Sequence, residues 1–157
     1  ISGERHDDSF DLITRTLQRI GEIKTVEIAI ESSGRHNYGV IGPDKTPVVT
    51  LPGDPIAAYI SFELLIRPMI RTMLGTANIH RPSVKAKLEK ALTSSGGMRS
   101  YVRAVLSADG KSVAPLSSQD EQATLSDANC FIAVPEGETH LAAGKEVTVV
   151  VLERRYL

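Results

Sequence analysis

Pro47-Val48-Val49-Thr50-Leu51-Pro52-Gly53-Asp54-Pro55-Ile56-Ala57-Ala58 carries a β-branched run through a tight turn into an apolar stripe. Val48, Val49 and Thr50 are stiff at χ1 and suit a pleated surface, and so continuous a run is of the kind buried in parallel sheets. Pro52-Gly53 ends it. Asp54 and Pro55 then stand where a helix start favours them, at the N-cap and the first helical position. Apolar residues recur at 56, 60, 64, 65, 69 and 73 with Gly75 behind them, which predicts a long amphipathic helix over 56–74. Pro68 removes one i→i−4 hydrogen bond in its middle and predicts a kink.

Upstream of this stretch, Phe10, Ile13, Leu17 and Ile20 fall on one helical stripe and Gly21 supplies a stop, so residues 10–20 read as a helix. Val26-Glu27-Ile28-Ala29-Ile30 alternates with period two, and Tyr38 to Ile41 is a second short apolar piece. The first half is therefore an α/β module, residues 1–76. Helical periodicity then stops near Thr76-Ala77-Asn78. Residues 84–88, 101–106, 112–114, 130–134 and 147–151 each read as a short strand, with Asp109-Gly110 as the hairpin signal between the second and third. Residues 80–157 are expected to form a small all-β barrel or sandwich.

Composition narrows the function classes. The 157 residues carry 18 Lys+Arg against 19 Asp+Glu, and the longest basic run is Arg154-Arg155, so nothing resembles a nucleic-acid footprint. The single cysteine, Cys130, builds neither a disulfide framework nor a metal knuckle, and on a strand beside Phe131 and Ile132 it reads as a small buried residue. With so little cysteine a reducing cytoplasm is the expected location, and since no apolar stretch approaches the roughly 20 residues that span a bilayer, a soluble chain is expected. The chain opens at Ile1-Ser2-Gly3 without an initiator methionine, as a piece of a longer protein would.

Two places can carry chemistry. The Thr50 to Pro55 turn delivers a strand end to a helix start, where ligands gather in open α/β sheets and free N–H groups face anions. The same residues are also those that any well-built strand-to-helix turn selects. His6-Asp7-Asp8-Ser9-Phe10-Asp11 could hold a hard divalent cation through carboxylate oxygens, or could simply cap a helix. His36, His80 and His140 are scattered in loop-like sequence, which argues against zinc.

Leu51-Pro52-Gly53-Asp54-Pro55-Ile56-Ala57-Ala58, followed by Phe62, Pro68 and Leu74-Gly75, closely resembles the LPGNPVSA…F…P…LxG pattern of the MoeA/gephyrin family of molybdopterin molybdenumtransferases. Ser2-Gly3 and Asp11 fit the family's SGGVSxGxxD segment, Tyr101-Val102-Arg103 fits its F-x-R strand, and Ala128-Asn129 fits the AN before a late strand. The resemblance implies that residues 1–76 are the latter part of a MogA/MoaB-like molybdopterin-binding α/β domain and residues 80–157 the C-terminal β-barrel. It implies a homodimeric subunit that takes molybdate and adenylylated molybdopterin as substrates and, with magnesium, inserts the metal into the dithiolene. On this resemblance Asp11 is a catalytic or metal-binding carboxylate. The resemblance likewise implies that Ser2, Gly3, Arg35, Pro52, Gly53, Asp54 and Pro55 line the nucleotide pocket.

The loops depart from the family. Gly3-Glu4-Arg5-His6-Asp7-Asp8 stands where the pattern is GGVSxG, and Glu31-Ser32-Ser33-Gly34-Arg35 stands where it is PGKP with a lysine two residues before. Arg35 is the nearby cation left to replace those lysines. In the barrel, Q-x-S-G is shortened to Gln119-Asp120-Glu121-Gln122. These exchanges imply the alternative reading, a catalytically weakened gephyrin-like scaffold that holds a partner peptide.

Overall fold

The computed structural model describes residues 7–31, 33–116 and 126–152, with residues 7–11 described by backbone alone. The chain divides into two compact units, Ile1–Ala77 and Asn78–Leu157.

In the first unit helix α1 (Asp7–Ile20) runs straight into strand β1 (Gly21–Glu27), which pairs with β2 (Arg35–Ile41), and β2 in turn with β3 (Thr46–Val49). Gly21 therefore does more than stop α1. A Cβ there would sit 2.1 Å from the carbonyl oxygen of Val40, and one on Gly39 would sit 1.9 Å from that of Glu22, so glycine at both positions lets β1 and β2 approach. Both pairings are antiparallel, with Gly21↔Ile41 and Glu27↔Arg35 at the ends of the first and Tyr38↔Val49 in the second. This corrects the parallel-sheet reading of the Pro47 to Leu51 run. Among the described residues no parallel strand lies beside it, and β3 is only half-buried or exposed. The strand expected over 26–30 is also displaced. β1 begins five residues earlier, and past its end Ile30 N–H bonds to Ile28 O at 2.8 Å and Ser33 N–H to Ile30 O at 3.1 Å, as in turns.

The long helix expected over 56–74 is present but not uniform. α2 (Pro55–Ser61) passes into a π-helical turn, Phe62–Ile66, and then α3 (Arg67–Met73). Arg67 N–H bonds to the carbonyl of Phe62, five residues back. The widened turn lies just before Pro68, whose ring has no N–H to give and would crowd the carbonyl four residues earlier. In place of a simple kink, the helix takes one wide turn. It ends in a Schellman motif: Gly75 at φ +67° donates to Thr72 O at 3.0 Å and Thr76 to Arg71 O at 3.0 Å.

The second unit is a closed five-stranded barrel of β4 (Ser83–Leu88), β6 (Ser100–Leu106), β7 (Ser112–Pro115), β8 (Cys130–Val134) and β10 (Glu146–Val151), in the order β10-β4-β7-β6-β8. The short strands β5 (Leu92–Thr93) and β9 (His140–Leu141) pair beside it. Alternate residues point inward, so Ala86, Leu88, Ala104, Leu106, Val113, Cys130, Ile132, Val134, Val147, Val149 and Val151 form one dry core. Gly110 at φ +71° makes the β6–β7 turn that Asp109-Gly110 predicts. The Ala128-Asn129 pair has a structural use. Asn129 Oδ1 accepts from Leu106 N–H at 2.8 Å and its Nδ2 donates to Leu106 O at 3.2 Å, so a side-chain amide stands in for a strand partner at the end of β6.

Candidate functional site at one end of the first unit

Thr50 follows β3 and continues its register for one more pair. Its N–H donates to Asn37 O at 2.9 Å, and its Oγ1 accepts from Asn37 N–H at 2.8 Å. Two residues on from Thr50 is Pro52, and two residues back from Asn37 is Arg35, so the turn and the start of β2 lie at the same end of the sheet. The helix joins them there. Asn37 Nδ2 donates to Thr14 Oγ1 at 2.8 Å, and Asp11 lies three residues, one turn, farther toward that end on α1. Topology requires this arrangement, because α1 leads directly into β1 at the Ile41 end and must begin at the other.

The turn itself is well made. Asp54 has extended backbone (φ −69°, ψ 125°), its Oδ2 accepts from Ala57 N–H at 2.8 Å, and Pro55 takes the first helical position. Gly53 and Pro55 are exposed and Pro52 and Asp54 half-buried, while Arg35 is exposed where β2 opens. The structure thus brings Arg35, Pro52, Gly53, Asp54 and Pro55 to one end with the backbone of Asp11. Ser2 and Gly3 lie outside the described residues, as does the Asp11 side chain. Among the described residues no three His, Cys, Asp or Glu side chains gather as a metal-binding set.

The support beneath this end is polar, and sequence reasoning missed it. His36 does not lie in a loop. It sits within β2, 2% exposed, with Nδ1 at 2.9 Å from Thr50 O. Ser33 and Ser61 share a buried hydrogen bond at 2.7 Å, which ties the Glu31 to Arg35 loop to the end of α2. Thr25 Oγ1 donates to Asn37 Oδ1 at 2.7 Å. Glu63, 5% exposed, faces Arg67 at 3.8 Å within the π turn. No hydropathy pattern in the sequence points to them, because side chains that bond to one another are buried here without an apolar stripe. In the barrel, Cys130 is fully buried and desolvation pushes its thiol up to about 12, as an inert core residue requires.

The profile of the MoeA C-terminal region, domain IV, matches residues 85–152. The barrel belongs to the MoeA family. Molybdopterin molybdenumtransferase 1 of Mycobacterium tuberculosis is 32% identical to this chain over 151 residues, covering 90% of it, and molybdopterin molybdenumtransferase 2 of the same organism is 34% identical over 130 residues, covering 81%. The chain spans about a third of the length of these relatives, 35% and 31%. A crystal structure of a molybdopterin biosynthesis MoeA protein from Pyrococcus horikosii superposes with TM-score 0.76 at 28% identity, over 91% of this chain and 35% of that one. The likeness to MoeA proteins therefore reaches beyond domain IV into the first unit. No helix of the described residues is long and apolar enough to cross a membrane.

Proposed function

We propose that this chain is the C-terminal part of a molybdenumtransferase of molybdenum cofactor biosynthesis, and that the first unit presents part of the pocket where molybdate is inserted into adenylylated molybdopterin. The names borne by the relatives support the pathway. The convergence of Arg35 with the Asp54-capped turn carries the site. Main-chain N–H groups at a strand-to-helix turn, with one guanidinium beside them, suit a phosphate or an oxyanion. Arg35 offers planar donors to such a group, and Asp54 fixes the turn's backbone through Ala57. A MogA/MoaB-like ancestry for the first unit, a homodimer and a magnesium ion near Asp11 belong to the same reading. Magnesium, when bound, would neutralise phosphate charge, and Asp11 is the residue of this chain proposed to hold it.

A second reading, a scaffold with weakened catalysis that holds a partner peptide, draws support from Gly34. It is exposed at φ +57° where the family pattern has a lysine, so no cation extends from that position.

Calorimetry of the protein with adenylylated molybdopterin, with and without magnesium, tests both. Under the enzyme reading heat is released, and Arg35→Ala weakens binding by roughly 10- to 100-fold, the loss of one charge-assisted contact, while Arg35→Lys retains part of it. No heat at roughly millimolar nucleotide, where even a −4 kcal/mol site is visible, removes the enzyme reading and leaves the scaffold.

A further inference from the structure

Although the barrel is closed, among the described residues the first half of β4 has no strand partner on the side away from β10. β4 pairs along its length with β10, but its parallel partner β7 meets it only at Lys87↔Ser112 and Leu88↔Val113. Leu88 N–H bonds to Lys145 O and Val151 N–H to Pro82 O, which fixes the parity: even-numbered residues of β4 bond toward β10, and odd-numbered residues face the other way. Lys87 N–H accordingly donates to Lys111 O at 2.9 Å. Continuing the parallel register, the carbonyl of Lys85 would need the N–H of Lys111. That N–H instead donates to Asp109 Oδ1 at 3.0 Å, so the β6–β7 turn curls away. Among the described residues, no backbone group pairs with Ser83 or Lys85 on this side.

An open groove of about 520 Å³ lies along this edge, and Lys85, Lys87 and Lys111 line it together with Asp109 and Glu146. Lys85, Lys87 and Lys111 outnumber the two carboxylates that line the groove, and a third, Glu89, is engaged by Ser112 Oγ at its margin. Asp109 is turned into its own loop, accepting from Ser107 Oγ at 2.7 Å as well as from Lys111 N–H, and these bonds with the Lys111 charge hold its carboxyl below the usual range. Glu146 stands opposite Lys87 in the β10 pairing. Lys85 is exposed, and its Nζ donates to Thr148 Oγ1 at 2.8 Å on the β10 side of the strand.

We propose that this edge receives an extended acidic segment of a partner protein, added as a strand beside Ser83 to Lys85 with its carboxylates against Lys85, Lys87 and Lys111. Strand addition uses the unpaired N–H and C=O groups for affinity and the flanking side chains for choice of partner. The lysines select the occupant: a second copy docking by the same edge would bring ammonium groups to ammonium groups, whereas an acidic strand meets opposite charge on alternate residues.

The test uses the whole chain, isotope-labelled, with acetyl-Val-Glu-Val-Glu-Val-Glu-amide as the probe at low salt. The Lys85 amide is expected to slow in hydrogen exchange by roughly tenfold or more on saturation at millimolar peptide or below, while the Ala86 amide, already bonded to β10, stays unchanged. Lys85→Pro removes the edge donor without breaking a bond to β10, because Lys85↔Thr148 is a non-hydrogen-bonded pair, and is expected to abolish the protection. The triple variant Lys85→Glu, Lys87→Glu, Lys111→Glu leaves the backbone intact and carries the test if the proline variant fails to fold; it is expected to lose the acidic peptide and take acetyl-Val-Lys-Val-Lys-Val-Lys-amide instead. The proposal is overturned if Lys85 gains no protection at millimolar peptide, if the lysine peptide protects the unaltered chain equally, or if the amide becomes protected with protein concentration alone, which would make a second copy the occupant.

Discussion

His36 Nδ1 lies 2.9 Å from the carbonyl oxygen of Thr50, and since a carbonyl only accepts, the ring proton is on Nδ1. The strand that enters the Asp54 turn is thus held by a histidine that solvent does not reach, and its Nε2 has no partner among the described residues. On the other face of β2, Asn37 bonds to Thr14, Thr25 and Thr50. Four segments meet through two adjacent side chains, beside a small apolar core of Leu17, Ala57 and Ile60.

Breaking that junction should cost more than its size suggests. Asn37→Ala leaves the Thr14 and Thr25 hydroxyls without their buried partner, an expected loss of about 2–3 kcal/mol, and Thr50→Val strands the Asn37 N–H for about 1–3 kcal/mol. Urea unfolding followed by amide exchange in the first unit measures both. Equal stability of either variant with the unaltered chain would show the network to be incidental.

Asp54 offers a cleaner separation of stability from binding. Asp54→Ala should lose about 1 kcal/mol of helix capping, whereas Asp54→Asn keeps an acceptor for Ala57 N–H and should be close to neutral in stability. If the turn binds an anion, Asp54→Asn should also tighten that binding, because one negative charge leaves the site. An Asp54→Asn variant that binds phosphate-bearing ligand more weakly would contradict the anion-turn reading.

Asn129 tests why the AN pair exists. Its amide gives and takes one hydrogen bond with the backbone of Leu106, and both are buried. Asn129→Asp replaces the donor to Leu106 O with a second acceptor and buries a charge, so it should destabilise the barrel by about 2–4 kcal/mol. Asn129→Leu should do so by less, removing the bonds without the charge. Thermal unfolding of the two variants orders them, and the reverse order would refute the strand-mimic role.

The barrel was legible because its strands obey a single rule. Residues alternate in and out around a dry core, so Val147, Val149 and Val151 announce themselves by period two alone. Only the pair β5–β9, two residues each, was too short to leave a pattern. The first unit was read less completely. Its α1, the Asp54 cap and the Gly75 stop followed from local chemistry, but β1 is almost wholly exposed, so hydrophobic alternation carries no information about it. There the close glycines Gly21 and Gly39, rather than burial, set the pairing. The buried side chains around the site are Ser33, His36, Asn37, Thr50 and Ser61, and no hydropathy pattern points to polar residues that satisfy one another.

Cys130 yields a prediction about pH. Its thiol is fully buried, donates to Ala104 O at 3.3 Å, and is pushed from an ordinary value of 9.0 to about 12 by desolvation. The folded-state pKa is raised, so this thiol contributes nothing pH-dependent below pH 9. Between about 9 and about 12 the unfolded chain ionises a thiol that the native barrel keeps protonated, and stability falls as pH rises, by up to about 1.4 kcal/mol per pH unit for one proton. Lysines and tyrosines titrate in the same range, so the comparison is with Cys130→Ala. That variant should be less stable at neutral pH, by about 1–2 kcal/mol for the lost contacts, yet its stability should fall less steeply from pH 9 to pH 11, and the two curves should converge. Parallel curves over that interval would mean that the buried thiol ionises as readily in the barrel as in the unfolded chain.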